Sequence, residues 1–463
     1  MEYHDFLKSK EMKSVSCGFE PKYRNDMLFD WQSDIVRWAC VKGKCAIFAS
    51  CGTGKTALQL QWSYEVHMHT GKPVLILAPL AVSQQTKREG DKFGIDVNIV
   101  REQSDVINGI NVTNYEIAEH FDASAFSGIV LDESSILKDS TSSTRKLLTD
   151  MFRDTPYKLC CTATPSPNDY MELGTHSEFL NIMKQTEMLS TFFMHDGGNT
   201  SQWRLKGHAV SKFFEWVASW ACCITNPSDL GYDGSAFILP PLTIHEVTTK
   251  SEDLEDSYGQ MMFFAQVSQT LNERRDARRN SLEDRVKAAC DIALKAEGSV
   301  IIWCGLNAEQ DACAEILGDK CFSIQGSTPD KYKIEWEYAW RTGERKILIT
   351  KAKCFGYGMN WQHCNTEIFV GLSDSWEEYY QALRRCWRFG QTKPVDVYIV
   401  ISEAEGCVKQ NIQRKQRDAD RMTSELVKYT KDILSAEIRH TVRISETYIT
   451  CERMIVPEWL TIA

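Results

Sequence analysis

Two kinds of apolar pattern alternate along the chain. Short, nearly continuous apolar runs stand between longer stretches in which apolar residues recur at helical spacing. In the first third the short runs are KCAIFAS (44–50), PVLILAP (73–79), GIVLDE (128–133) and YKLCCTAT (157–164). Runs apolar on both faces and separated by helices predict a parallel sheet covered on both sides. From about 176 to 238 the pattern changes to a stretch rich in Trp, Phe and Met, with MHDGGNTSQ as a loop. It predicts an irregular, mostly helical insertion. ILPPLTIHEVTT (238–249) predicts a boundary followed by a strand, and a charged helical stretch with NERRDARRN (272–280) comes next. Alternation then resumes, with strands expected at 299–304, 345–350, 366–371 and 395–401. The last sixty residues are charged and helix-prone. The expected organisation is therefore α/β, with a first parallel-sheet lobe over 1–240 that includes the insertion. A second lobe follows over 241–402, and a helical C-terminal extension over 403–463.

Composition narrows this only a little. With 463 residues, 43% apolar and 25% charged, the chain has material for more than one core. A net charge of -10 argues against an evenly basic nucleic-acid coat, while leaving room for a local basic groove. The 17 cysteines form no CxxC and often lie in apolar runs, as expected of buried, reduced thiols in an intracellular protein. The start, MEYHDFLKSK, has no apolar signal core, and no apolar stretch reaches the roughly 20 residues a membrane span needs. A soluble cytoplasmic protein is expected.

Chemistry enters at ASCGTGKTAL, which follows the first strand and opens a helix. Apart from Ala49 in the first glycine position it fits G-x-x-x-x-G-K-[ST] through Gly54, Lys55 and Thr56. Gly52, Thr53 and Gly54 let backbone N–H groups curl around a phosphate, and the helix N-terminus adds partial positive charge. Lys55 would bridge β- and γ-phosphates of ATP, and Thr56 would hold Mg²⁺. IVLDESSILKD supplies carboxylates at the end of a buried strand: Asp132 for Mg²⁺ through water, Glu133 for the attacking water.

Together these segments resemble the superfamily 2 helicase-like ATPases, and within them the Swi/Snf-type DNA translocases. LFDWQSDIVRW is similar to the adenine-reading segment, with Gln32 as reader. CGTGKT, VTNYE, DESSILKD with Lys138, and CTATPSPNDYMEL follow in the family's order. LAPLAV, which contains Pro79, resembles the segment that touches the nucleic-acid backbone. IQGSTPDKYK, TKAKCFGYGMNWQ and YYQALRRCWRFGQ are similar to the motifs of the second lobe, and the last resembles compact phage and prophage members. The resemblance implies two RecA-like lobes, nucleotide contact at Gly358, and backbone contacts from Pro79, Asn114, Ser327 and Thr328. Ala49, Ser134 and Trp387 depart from the family's usual residues.

RRCWR holds Arg384, Arg385 and Arg388. On a helix Arg388 shares a face with Arg385 and nearly with Arg384, so periodicity leaves both pairs open. The resemblance assigns Arg385 and Arg388 to the family's two finger positions and leaves Arg384 where relatives carry a small residue, so a mild effect of its removal is expected. NERRDARRN reads more simply as a solvated helix than as a backbone contact. Trp303, Trp361 and Trp387 sit in apolar contexts that favour core, and His67, His69 and His363 lack metal-ligand spacing. The expectation is a nucleic-acid-dependent ATPase that uses ATP and Mg²⁺ to translocate along DNA, gripping duplex backbone. Two alternatives stand beside it: a strand-separating DNA or RNA helicase, and a nucleotide-gated DNA-binding or scaffold protein with slow hydrolysis.

Overall fold

A computed structural model describes residues 16–79, 82–138, 141–166, 169–196, 199–249, 281–355, 359–373, 375–402 and 406–439. The NERRDARRN stretch and Gly358 lie outside the described residues.

The first lobe opens with α1 (Asp30–Lys42), β1 (Lys44–Ala49), α2 (Lys55–Thr70), β2 (Val74–Ala78) and α3 (Ser83–Phe93). It continues through β3 (Val97–Ile99), β4 (Ile110–Asn114), β5 (Gly128–Asp132), α4 (Ser143–Met151) and β6 (Tyr157–Thr162). Then come α5 (Leu173–Phe179), α6 (Gln185–Phe192), β7 (Phe193–Asp196), β8 (Asn199–Leu205), α7 (Val210–Ala218) and β9 (Ala221–Ile224). Seven strands form one parallel sheet in the order β3-β4-β2-β5-β6-β1-β9. Successive residues of β1 point to opposite faces: Cys45, Ile47 and Ala49 join one apolar cluster, Ala46 and Phe48 the other. Both faces are buried, which is why these strands carry no polar alternation.

The second lobe contains β10 (Leu242–Thr249), α8 (Leu282–Lys295), β11 (Val300–Cys304), α9 (Asn307–Leu317), β12 (Cys321–Ser323) and α10 (Asp330–Arg341). Its remaining elements are β13 (Ile347–Thr350), α11 (Ala352–Phe355), β14 (Thr366–Val370), α12 (Trp376–Leu383) and β15 (Val395–Ser402). Its sheet is also parallel, ordered β10-β15-β14-β11-β13-β12. Trp303 and Trp361 are buried in its core, donating their indole N–H groups to Glu367 at 2.8 Å and Glu337 at 2.9 Å.

The insertion differs from the expectation. Residues read as the MHDGGNTSQ loop supply most of an antiparallel pair, β7 with β8. ACCI, inside the stretch expected to be mostly helical, forms β9 and closes the sheet edge beside β1. Sequence missed β9 because a short apolar run carries no period of its own and follows directly on the apolar face of α7. That helix buries Phe213, Phe214, Trp216 and Val217, so its aromatic run is core.

The extension forms α13 (Gly406–Ile438), a helix of 33 residues. Ile412 and Ala419 pack into the second lobe's core, Leu426 and Val427 into one face of the first lobe, and Leu434 and Ile438 into the other. Trp376 donates to Gln416 at 2.5 Å near one end, and Glu437 accepts from Trp38 at 3.0 Å near the other. Among the described residues no helix is long and apolar enough to cross a membrane, and the cysteines whose side chains are described are free thiols.

Candidate active site between the lobes

The strand-to-helix turn after β1 shapes the first wall. Gly52 and Gly54 adopt φ of 90° and 83°, a region that an L side chain occupies only under strain. Space is short as well: a Cβ on Gly52 would lie 2.8 Å from the backbone nitrogen of Phe389 in the other lobe, and one on Gly54 2.5 Å from Gln32 Nε2, which would have to move. Ala49 needs no such freedom, because it is the last residue of the strand. Its carbonyl accepts the Lys55 ammonium at 3.0 Å. Gln32 accepts from Phe29 N–H at 3.1 Å and donates to the Thr53 carbonyl at 3.0 Å. The residue expected to read adenine thus stands on the pocket wall with both ends of its amide engaged by backbone.

Asp132 ends β5 beside this turn. Gln59 donates to its Oδ1 at 2.6 Å, and Tyr115 donates to its backbone carbonyl at 2.6 Å. Burial, reinforced by the neighbouring Glu133 charge, raises the Asp132 carboxyl to about 6. Glu133 adopts φ 52°, the left-handed region that a side chain of its size rarely occupies, and this turns the carboxylate out of the strand direction. Its Oε2 accepts from Thr162 at 3.4 Å. Ser134 meets the Nε2 of buried His176 at 3.1 Å. Burial lowers this imidazole to about 4, so it stays neutral.

A relay then crosses to the second lobe. Thr162 Oγ1 accepts from the Thr164 N–H at 3.1 Å, and Thr164 donates to Glu377 at 3.4 Å. Glu377, in the first turn of α12, also forms an ion pair with Lys138. Glu133 is therefore linked to the other lobe through two threonines.

The second wall comes from the segment after α12. Arg385 donates to Gln381 at 3.1 Å and to the Met359 carbonyl at 3.4 Å, while Arg388 donates to the same carbonyl at 3.0 Å. Burial, followed by the charge of Arg385, pushes Arg388 down to about 10, where a guanidinium still holds its proton at neutral pH. Arg384, set aside by the sequence reading, crosses the cleft and donates to the Cys51 carbonyl of the phosphate turn at 2.5 Å. Both walls enclose a cavity of about 390 Å³. Phe29, Phe237 and Phe389 gather at its rim, with Phe237 and Phe389 stacked at 4.6 Å across the lobes.

Lys55, Thr56, Asp132, Glu133, Arg385 and Arg388 all line this one cavity. The four residues expected to touch nucleic acid do not line it. Pro79 follows β2, Asn114 ends β4, and Ser327 and Thr328 follow β12, all at or beyond the C-terminal ends of strands. Asn114 caps the turn that follows by accepting from Ile117 N–H at 3.2 Å, and Thr328 accepts from Gln325 N–H at 3.0 Å. Ser327 is exposed. Gln59, Tyr115, Thr162 and His176 were not anticipated. Gln59 alone left a trace in the sequence, lying four positions after Lys55 and so on its helix face.

A phosphate turn on one parallel-sheet lobe and a set of arginines on a second, closing one cavity, define a two-lobe ATP-hydrolysing enzyme. Residues 52–197 match the SNF2-related domain and residues 284–390 the helicase conserved C-terminal domain. The chain belongs to the superfamily 2 helicase-like ATPases of Swi/Snf type, and its two sheets are their RecA-like lobes. It is 25% identical over 182 residues to the ATP-dependent helicase fft1 of Schizosaccharomyces pombe, a match covering 37% of this chain and 19% of that protein. The chain thus spans about a fifth of the length of the curated relative it matches.

Proposed function

We propose that this enzyme couples ATP hydrolysis to movement along duplex DNA, gripping the phosphate backbone. The observation that carries the reading is the division of the cavity between the lobes: phosphate turn, Asp132 and Glu133 on one, arginines on the other. Chemistry in such a cavity must open and close the cleft, because a complete site exists only when both walls meet.

Glu133 is the residue to orient and deprotonate water. The water oxygen attacks the γ-phosphorus, the bond to the ADP oxygen breaks, and the water proton passes to the Glu133 carboxylate. Lys55 exchanges the Ala49 carbonyl for phosphate oxygens, and Arg385 and Arg388 face the charge that develops on the transferred group. Thr56 and Asp132 offer hard oxygen donors on the cavity wall, which suits Mg²⁺ held by one or two side chains together with phosphates and water. Among the described residues no three His, Cys, Asp or Glu side chains form a self-sufficient metal cage. Mg²⁺ bound there supplies charge neutralisation at the β- and γ-phosphates.

The nucleic-acid contacts proposed are Pro79, Asn114, Ser327 and Thr328, which grip backbone and read no bases. Duplex DNA should stimulate the ATPase, and the stimulation should fade with salt as counterion release loses its advantage. Parallel assays without polynucleotide and with single-stranded DNA, duplex DNA or RNA test this, and stimulation by RNA alone would overturn it. Triplex displacement should report movement while a forked duplex yields little product, since the aromatic run of α7 is buried and offers no wedge. Fork opening without triplex displacement would favour the helicase alternative.

A further inference from the structure

Arg384 is held in a way that its place in the sequence did not suggest. It is only 8% exposed, yet it lies on the cavity wall. Its guanidinium carbon sits 5.0 Å from the centre of the Trp387 ring and 5.8 Å from that of Tyr380. Trp387 is itself fixed, donating from Nε1 to the Pro240 carbonyl at 2.8 Å. Trp387 was a departure from the family's usual residue, Arg384 stands where relatives carry a small one, and the two touch.

The hydrogen bonding of Arg384 is incomplete. Nη2 donates to the Cys51 carbonyl at 2.5 Å, while the buried Nε has no partner. No carboxylate among the described residues pairs with it. A buried guanidinium whose hydrogen-bond partner is a neutral carbonyl is under-compensated, and an anion would satisfy it. The carbonyl belongs to the phosphate turn. Lys55 rests the same way, on Ala49. Two cations from opposite lobes therefore rest on carbonyls at the strand end and in the turn beside it, Ala49 and Cys51.

We propose that Arg384 is a third phosphate-binding arginine of the second lobe, positioned by Trp387, which exchanges the Cys51 carbonyl for a phosphate oxygen of the bound nucleotide. The inference rests on the ATPase reading above. Arg384 takes no proton and forms no covalent bond. Because it meets the turn that wraps the polyphosphate rather than the Glu133 side of the cavity, it strengthens ground-state binding. Arg388, facing the transferred group, acts on turnover. The sequence-based expectation that loss of Arg384 is mild is thereby replaced by a specific loss of affinity.

The experiment measures KM and kcat for ATP in the full chain carrying Arg384→Ala, Arg384→Lys or Trp387→Ala. Calorimetric binding of ATP and of inorganic pyrophosphate accompanies it, in a Glu133→Gln background that blocks turnover. Arg384→Ala should raise KM and weaken binding of both probes on the order of tenfold to hundredfold, as for a charge-assisted hydrogen bond. The loss in kcat should be smaller. Trp387→Ala should shift affinity in the same direction by less, and Arg384→Lys should recover part of it because charge remains while the fork is lost. Unchanged KM and unchanged pyrophosphate binding in Arg384→Ala would overturn the proposal. If Arg384→Ala does not fold, Arg384→Lys carries the test, and wild-type affinity there would overturn it equally. Lys55→Ala, run alongside, separates the two readings: full ATPase activity in it would refute the assignment of this cavity as the site of hydrolysis, whatever Arg384 does.

Discussion

Lys158, on β6 at the floor of the first lobe, is fully buried. Its ammonium donates to the Phe179 carbonyl at 2.9 Å and to Asn181 Oδ1 at 3.4 Å, and lies 5.1 Å from the centre of the Phe179 ring. None of these partners carries a charge. Burial, with Lys44 adding to it, lowers Lys158 from 10.5 to about 7. The folded state therefore releases this proton at lower pH than the unfolded state does. Stability linked to the group is present in full above the unfolded value and is lost as pH falls toward the folded one. Between pH 7.5 and 9 the folded protein holds little of the proton that the unfolded chain keeps, so stability should rise by about 2 kcal/mol over that interval. Lys158→Met keeps the stem and removes the titration. The comparison is a pair of thermal-unfolding series at pH 7.5, 8, 8.5 and 9. Against the variant, the wild-type midpoint should climb by about 4–8 °C across the series for a domain of this size. All other titrations are shared and cancel in the difference. Two curves that stay parallel would show that Lys158 keeps its proton throughout, and that the carbonyl and the ring compensate its charge.

Three further outcomes follow from other buried contacts. Arg285 and Glu309 are both fully buried and pair at 2.8 Å, so Arg285→Met should cost about 3–5 kcal/mol, with part recovered by adding Glu309→Gln; denaturant unfolding reads it. Gln59→Leu strips the hydrogen bond from Asp132 and should raise the Mg²⁺ concentration for half-maximal ATPase by about tenfold or more, the usual cost of removing a residue that orients a ligand. Glu377→Gln breaks the ion pair to Lys138 and weakens the link to Thr164; turnover should fall roughly tenfold with ATP affinity unchanged, and wild-type turnover would show that the relay carries nothing.

The sequence was most readable where burial was complete on both faces. β1, β2, β5 and β6 stood out because a strand inside a covered parallel sheet has no polar side to interrupt it. β3 and β12, three residues each at the sheet edges, are too short to carry any period, and β9 hid behind an apolar helix. Within the site, Lys55, Asp132 and Glu133 were legible because local chemistry sets them: a glycine turn before a helix, and acids at the end of a strand. Arg384 was not. Its partner, Cys51, is 333 positions away, and only the closing of one lobe on the other brings them together. The same holds for Glu377, whose neighbours Thr164 and Lys138 belong to the other half of the chain.

The final helix gives the two halves of the cleft a second tether. Among the described residues the chain passes from the first lobe to the second near Pro240, and α13 returns across the first lobe. A helix of 33 residues is a rod about 50 Å long, and this one is set in the packing of both halves. Held by a linker on one path and a rod on another, the halves cannot drift apart along the line that joins them. Rotation about an axis near the rod is the motion these two tethers leave open, and it would carry the arginines toward and away from the phosphate turn. On the proposed reading of movement along DNA, the stroke would then be an angle, limited by how far the rod could roll on Phe214 and Trp38 with the contacts of Tyr429 and Glu437 kept.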